Sequence, residues 1–237
     1  MAQVDVFDVM RVGLWFIAGL ISLYFSVGSA RIWTSISTGF FLVFISEGYL
    51  LAPWESNQAL MAVHSVVGTI AVLVITHGFM EYYVFARTLE SGGAKWEVYA
   101  LTAGVLVASM VFLAINPTPT ATVVRHIRIV ENACWVFLVV INLDLLRKIH
   151  VQVRDTPIGP AFRGFGAVFF LIFLWRGSVL YLQAYGWDAD AASAGIVTDA
   201  AQFPFRVGLA TNVNRFASLL SSVTMGGTFL FLARAMR

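Results

Sequence analysis

The sequence predicts an all-α, polytopic transmembrane bundle of about seven spans, and three observations carry that expectation. Charged residues make up 12% of the 237-residue chain and apolar residues 59%. That charge is about half the usual share of a water-soluble domain, too little to cover a surface in water. Mean hydropathy is +0.82. The apolar residues also fall in runs of the right length, since a hydrocarbon core roughly 30 Å thick takes about 20 residues of helix to cross. Only closed backbone hydrogen bonding is tolerated there, and strand alternation at barrel spacing is absent, so the runs are read as helices.

The first span is expected at 9–27, ending in GSAR, and the second at 32–51, ending in APW. The third covers 59–85, and the fourth covers 98–115 and stops at NPTPT. The fifth covers 126–146, the sixth 165–185 and the seventh 213–233. All belong to one transmembrane domain, with no soluble domain, repeat or low-complexity tract. The long connection, 187–212, has room for a short interfacial helix. The opening MAQVDVFD is acidic, whereas a cleavable leader starts basic, so the first run is read as a retained span.

Lysine and arginine set the orientation. One set of helix ends carries Arg31, Arg87, Lys95, Arg147, Lys148, Arg154, Arg163, Arg234 and Arg237. The other carries Arg11, Arg125, Arg128, Arg206 and Arg215 beside Asp5, Asp8, Asp188, Asp190 and Asp199. The first set alternates correctly with seven spans and is read as cytoplasmic. The N-terminus is then outside and the C-terminus inside a plasma (inner) membrane.

Ionisable residues within spans cost about 2.5–3.5 kcal/mol each on insertion scales, so each needs a partner or a role. Glu47, His64, Glu131 and Arg176 fall in the outer half, with His126, Arg128 and Arg215 at the outer rim. His77, Glu81 and Asp144 fall towards the other side. One reading of the outer group is a cofactor site. His64 and His126 lie at depths where two imidazoles could ligate one b-type haem. Glu47 and Glu131 together with those histidines would alternatively make a nitrogen–oxygen set for a metal ion. The plainer and favoured reading is ion pairing, with Glu47 or Glu131 as the counter-charge of Arg176 and His64 bonded to a neighbouring helix.

His64 and His77 are thirteen residues apart, a rotation of roughly 220° after whole turns, so they face different sides of one helix and do not suit a regular two-haem pattern. His77 and Glu81 share a face and form either part of a proton path or, as favoured, an interfacial group paired with Arg87 or Arg31. Asp144 is expected to pair with Arg147 and Lys148. Ser218, Ser222 and Gly226, and the pair Gly104 and Ala108, read as small stripes for helix packing. Trp33, Trp54, Trp96 and Trp187 read as interface anchors, and Trp15, Trp135 and Trp175 sit deeper.

Several classes drop out. The lysines, Lys95 and Lys148, lie in loops, which excludes a retinal Schiff base in the last span. Walker A, GxSxG and HExxH motifs are missing, and the single Cys134 allows no intrachain disulfide. Three functional readings are left. The first is a membrane subunit of a larger complex, redox-linked through a haem, metal or quinone site. The second is a seven-span sensor or receptor module. The third is a proton or small-solute pathway. Catalytic activity of its own is not expected. The expected partners are the lipid bilayer and either other subunits or a second copy of the chain, not nucleic acid.

Overall fold

The computed structural model describes residues 6–49, 58–89, 94–115 and 119–236. They form seven α-helices: α1 Val6–Gly28, α2 Thr34–Gly48, α3 Gln58–Thr88, α4 Lys95–Ile115, α5 Ala121–Val153, α6 Gly159–Ala184 and α7 Pro204–Ala235. Short 3-10 turns at Arg31–Trp33 and Ala200–Gln202 precede α2 and α7. Five helices, α1, α3, α5, α6 and α7, are long and apolar enough to cross a membrane. The end of the expected second span, Trp54, Asp5, Arg237 and part of the NPTPT stop lie outside the described residues.

Local chemistry sets the helix ends. The Thr120 hydroxyl accepts a hydrogen bond from the Val123 amide and caps α5. Proline stands in the first turn of both α6 and α7, where its missing N–H costs nothing. α6 closes on Gly186, at φ +68°, with the Trp187 amide donating to the Leu182 carbonyl at 2.8 Å. A left-handed glycine and a bond reaching back five residues are how a helix satisfies its last carbonyls.

Chain direction reverses at each helix. Arg11, early in α1, meets Glu47 at the end of α2. Ser46 at that same end meets His64, early in α3. Lys95, opening α4, donates to the Ser26 and Val27 carbonyls at the far end of α1. Glu131, early in α5, meets Arg176, late in α6, and Phe7 and Phe216 pack in the first halves of α1 and α7. Six helices close a ring in the order α1, α2, α3, α5, α6, α7 and back to α1. α4 stands outside it, leaning on α3 and touching α2.

The two halves of the ring are filled differently. In the half near the start of α6, the interior is aromatic. Trp33, Phe40, Phe79, Phe162, Phe165, Phe169 and Phe229 are buried there, with ring centroids 5.3 Å apart for Phe79 and Phe165 and 5.4 Å for Phe165 and Phe229. Edge-to-face pairs of this kind add about 0.5–1.5 kcal/mol each beyond their area. Trp33 is therefore a core residue and not the interface anchor the sequence suggests, because the turn before α2 drives its ring inward against Phe25 and Tyr82. Trp96 is exposed, while Trp187 is buried with Leu182 and Ala210.

The small stripe on α7 works as expected. Ser218, Ser222 and Gly226 are buried, and Gly226 faces Ala18 of α1. Gly104 and Ala108 do not pack, because α4 turns that face outward. The closest helix approach lies instead between α2 and α3. A Cβ on Gly39 would stand 2.9 Å from the Ile75 amide nitrogen, and one on Gly78 would stand 2.7 Å from that of Ile36. Backbone cannot yield as a side-chain tip can, so Gly39→Val or Gly78→Val should cost about 1–3 kcal/mol through overpacking. In detergent thermal-unfolding scans both should melt well below the parent. Gly104→Val, with open space around it, should melt like the parent.

Candidate functional site

Opposite the aromatic half, five helices bring their ionisable residues to one place. Arg176 of α6 is the centre. Its Nη2 donates to Glu47 Oε1 at 3.1 Å and its Nη1 to Glu131 Oε1 at 3.0 Å. Nη1 also lies 3.3 Å from Asn132 Oδ1. The guanidinium stacks on Trp175 at 4.2 Å from the ring centroid, with Trp135 at 5.3 Å. Glu47, Glu131 and Arg176 are 0%, 1% and 4% exposed. On the far side of Glu47, Arg11 Nε is 3.1 Å from Oε2, and Arg11 Nη2 is 2.9 Å from Asp8. Two arginines thus face two buried glutamates, and the inner four charges cancel.

Cancellation is what makes the arrangement tolerable. Moving an ion out of water costs several kcal/mol even after relaxation, and only close partners with good geometry repay it. Guanidinium is suited to the task because its planar fork can bind two carboxylates while its face lies on an aromatic ring. The favoured sequence expectation, a glutamate counter-charge for Arg176, holds for both candidates at once.

His64 forms the edge of the network. Its Nδ1 donates to the Ser46 carbonyl at 2.7 Å, and the Ser46 hydroxyl donates back to the His64 carbonyl at 3.0 Å. The Ser46 carbonyl lies in the last turn of α2, where it also accepts from the Tyr49 amide at 3.1 Å, so the imidazole adds a second donor at that helix end. With Nδ1 committed, Nε2 faces Glu131 Oε2 at 3.8 Å. That carboxylate oxygen is buried and has no hydrogen-bond partner among the described residues. Gly68, one turn after His64, makes the room. A Cβ there would lie 3.0 Å from Glu131 Cδ and 3.1 Å from the Ser46 hydroxyl.

A polar chain leads from this site to the end of the bundle. Asn132 Nδ2 donates to Gln183 Oε1 at 3.1 Å. Arg125 Nη2 donates to the Gln183 carbonyl at 2.5 Å and to Asp188 at 2.8 Å. Arg128 pairs with Asp190. Two arginines and two aspartates that the sequence assigned to one side, Arg125 with Asp188 and Arg128 with Asp190, are therefore joined as ion pairs between α5 and the segment after α6.

Not every expected site residue joins in. His126 is exposed and lies outside the cluster, whereas His64 is 2% exposed. Five residues of α5 separate His126 from Glu131, which turns the two side chains roughly 140° apart. The axial haem pair His64–His126 is thus not brought together, nor is the four-residue metal set with Glu47 and Glu131. Among the described residues no group of three or more His, Cys, Asp or Glu side chains is arranged to hold a metal ion.

His77 and Glu81 lie at the opposite end. The His77 side chain is 62% exposed and 3.7 Å from Glu81, and Glu81 is claimed by Arg31 at 2.7 Å and the Ser35 hydroxyl at 3.0 Å. The favoured ion-pair reading fits, with Arg31 as the partner, because Arg87 turns to the ring and hydroxyl of Tyr83. Asp144 pairs with Lys148 at 2.6 Å and Arg147 at 3.5 Å, as expected. Sequence reasoning did not single out Ser46, Gly68, Asn132 or Gln183, and it counted Arg11 only among the charges at one set of helix ends. The signal for Asn132 and Gln183 was there, since an amide inside a span also demands a partner.

Removing Arg176 should be severe. Arg176→Met leaves two buried carboxylates without their shared cation, and breaking a buried pair from one side costs about 3–5 kcal/mol. Detergent-purified Arg176→Met should be largely unfolded or strongly destabilised by thermal scan. Arg176→Lys should rescue only in part, for want of a second fork. His126→Ala should melt with the parent, and a large loss there would contradict its position outside the network. Comparison with family models, curated proteins and solved structures gives no significant match.

Proposed function

We propose that the chain is a seven-span integral membrane protein, N-terminus outside and C-terminus cytoplasmic, that acts as a proton-responsive sensory module of the plasma (inner) membrane. The observation that carries this reading is the facing pair of His64 Nε2 and Glu131 Oε2, 3.8 Å apart in a buried, otherwise charge-balanced network. A lone pair and a carboxylate oxygen at that separation attract each other only when a proton sits on one of them. Binding that proton also alters the pull on Arg176, which is shared among Glu47, Glu131 and Asn132. Five helices would feel the change.

The charges that face the pair are Arg176 from α6, Glu47 from α2 and Arg128 from α5, with Arg11 from α1 behind Glu47. Among the described residues a hydrogen-bonded polar route runs to one end of the bundle, through Asn132, Gln183, Arg125 and Asp188. The other half is closed by the buried aromatic cluster. A polar route to one end and an aromatic-packed far half support sensing over conduction. Seven crossings are supported by the reversal of direction at every helix and by α4, whose 21 residues rise about 31 Å. A module of this kind delivers its signal through neighbours in the membrane, so partner subunits or a second copy are part of the proposal.

Tryptophan emission from protein in liposomes tests the reading, because Trp135 and Trp175 contact Arg176. Acidification from about pH 8 to about pH 4, a sweep that spans the ordinary ranges of histidine and carboxylate side chains, should change the emission reversibly. The change should vanish in His64→Gln, in Glu131→Gln and in a variant with both Trp135→Phe and Trp175→Phe. An unchanged spectrum in folded parent protein would sink the proposal. An entrapped pH dye should report no proton flux above that of empty liposomes, and flux abolished by Glu131→Gln would favour the conducting pathway instead.

A further inference from the structure

At the end of the bundle opposite Arg176, the seam between α1 and α7 opens into a groove that the charge network does not use. Two cavities, of about 340 and 330 Å³, follow one another there and share Tyr24 and Ala233. The first is walled by Leu20 and Ile21 of α1 and by Leu230 and Ala233 of α7. Leu20 and Leu230 are 45% and 47% exposed, so this part opens sideways, towards lipid when the bundle sits in a bilayer. The second cavity reaches Gly28 and Ser29 at the end of α1. From Leu20 to Gly28 the helix rises about 12 Å. The groove thus runs from an apolar wall to the helix ends, as a lipid runs from acyl chain to head group.

The polar groups at the helix ends say which head group fits. Arg234, in the last turn of α7, lines the first cavity and makes no hydrogen bond or ion pair among the described residues. Tyr24 brings a phenol hydroxyl beside it. The Ser29 hydroxyl, in the second cavity, is buried and has no hydrogen-bond partner among the described residues. Lys95 adds a second cation at the end of α1. Its ammonium donates to the Ser26 and Val27 carbonyls at 3.0 and 3.2 Å and has a third N–H to give. Among the described residues no carboxylate lines either cavity. Glu81 and Glu97, at the same end, line the separate cleft between α3 and α4, where both face Arg31. A phosphodiester in the groove would find an unpaired guanidinium, whose fork suits phosphate, and two hydroxyls. A zwitterionic head would bring an ammonium that no carboxylate is there to receive. A soluble anion would gain nothing from the apolar wall. Basic pockets between membrane helices are where acidic lipid heads settle. We infer that the α1–α7 groove is a binding site for an anionic phospholipid, with its head group on Arg234, Tyr24 and Ser29 and one acyl chain along Leu20, Ile21 and Leu230.

The site is independent of the His64–Glu131 pair, and its test does not depend on any pH response. Phosphatidylglycerol carrying a diazirine on one acyl chain is added at low mole fraction to full-length protein in phosphatidylcholine nanodiscs. Illumination cross-links it, and mass spectrometry maps the labelled peptides. Labelling should concentrate on 20–29 and 230–236 and should be competed away by unlabelled phosphatidylglycerol. The same probe with a choline head should label those segments at least about fivefold less. Arg234→Gln should lower phosphatidylglycerol labelling by about the same factor, the usual worth of one basic side chain at an acidic lipid surface. Leu230→Trp, which fills the groove from an exposed position, should remove it. Arg147→Gln, 77% exposed on α5 across the ring, should leave it intact, as should Val107→Trp, exposed on α4 away from the groove. Thermal scans of each variant establish that it is folded. Equal labelling by the choline probe, or labelling that persists in folded Arg234→Gln, would overturn the assignment. So would an equal loss in Arg147→Gln, which would mean a general attraction to basic residues, or displacement by millimolar inorganic phosphate, which would mean a site for a free anion.

Discussion

The guanidinium of Arg176 is the constraint around which one end of this protein is built. An arginine buried in a membrane-crossing bundle must keep its charge, so its surroundings must answer it. Here the answer comes from Glu47 on α2, from Glu131 and Asn132 on α5, and from the faces of Trp135 on α5 and Trp175 on α6 itself. Each answering group then makes demands of its own. Glu47 brings in Arg11, and Glu131 requires Gly68 to have no side chain. A single long cation thereby fixes the register of α1, α2, α3 and α5 against α6. No apolar contact in a hydrocarbon solvent could do so as selectively, because lipid competes for apolar surface almost as well as another helix does.

The same logic explains why the bundle is divided. Buried charges gather at one end, where the chain between α6 and α7 supplies Asp188 and Asp190 to Arg125 and Arg128 of α5. The opposite half packs phenylalanine and tryptophan across the ring, and Asn142 there finds the Thr76 hydroxyl at 2.9 Å. A charged half and an aromatic half need each other. The aromatic packing fills the interior of one half, and the charge network ties helix to helix in the other. α4 takes part in neither. Its outward faces are apolar, Gly104 has open space around it, its first turns are tied to α1 by Lys95 and by Tyr99 on Ser26, and Leu106 and Met110 rest against the core.

Much of this was legible in the chain, and the failures are instructive. Hydropathy found all seven helices, and the insertion cost of charge correctly marked Glu47, His64, Glu131 and Arg176 as residues needing partners. Hydropathy set the ends of α5 and α7 too short, because it stops at Arg125 and at the polar residues before Val213. Ion pairing and a proline start carry those helices further, to Ala121 and Pro204. His126 failed for a different reason. Depth along the membrane is nearly a linear reading of the sequence, but direction around a helix axis depends on which face the neighbours take. His64 and His126 matched in depth and missed in azimuth. Trp33 failed likewise, since a tryptophan at a helix start is an anchor or a core residue according to which way the preceding turn points it.

By itself the sequence determined that this is an all-helical membrane protein, where its long apolar helices run and which charges must be compensated within it. Those follow from the price of exposing backbone and charge to hydrocarbon, which every residue contributes to locally. Only the tertiary structure decided that six helices close a ring and the fourth stands aside. It also decided that one arginine serves two glutamates, that His64 rather than His126 adjoins them, and that the α3–α4 cleft exists. Those depend on the order in which helices pack around a common axis. Close packing without voids selects that order through glycines such as Gly39, Gly68 and Gly78, whose meaning appears only when the facing helix is known.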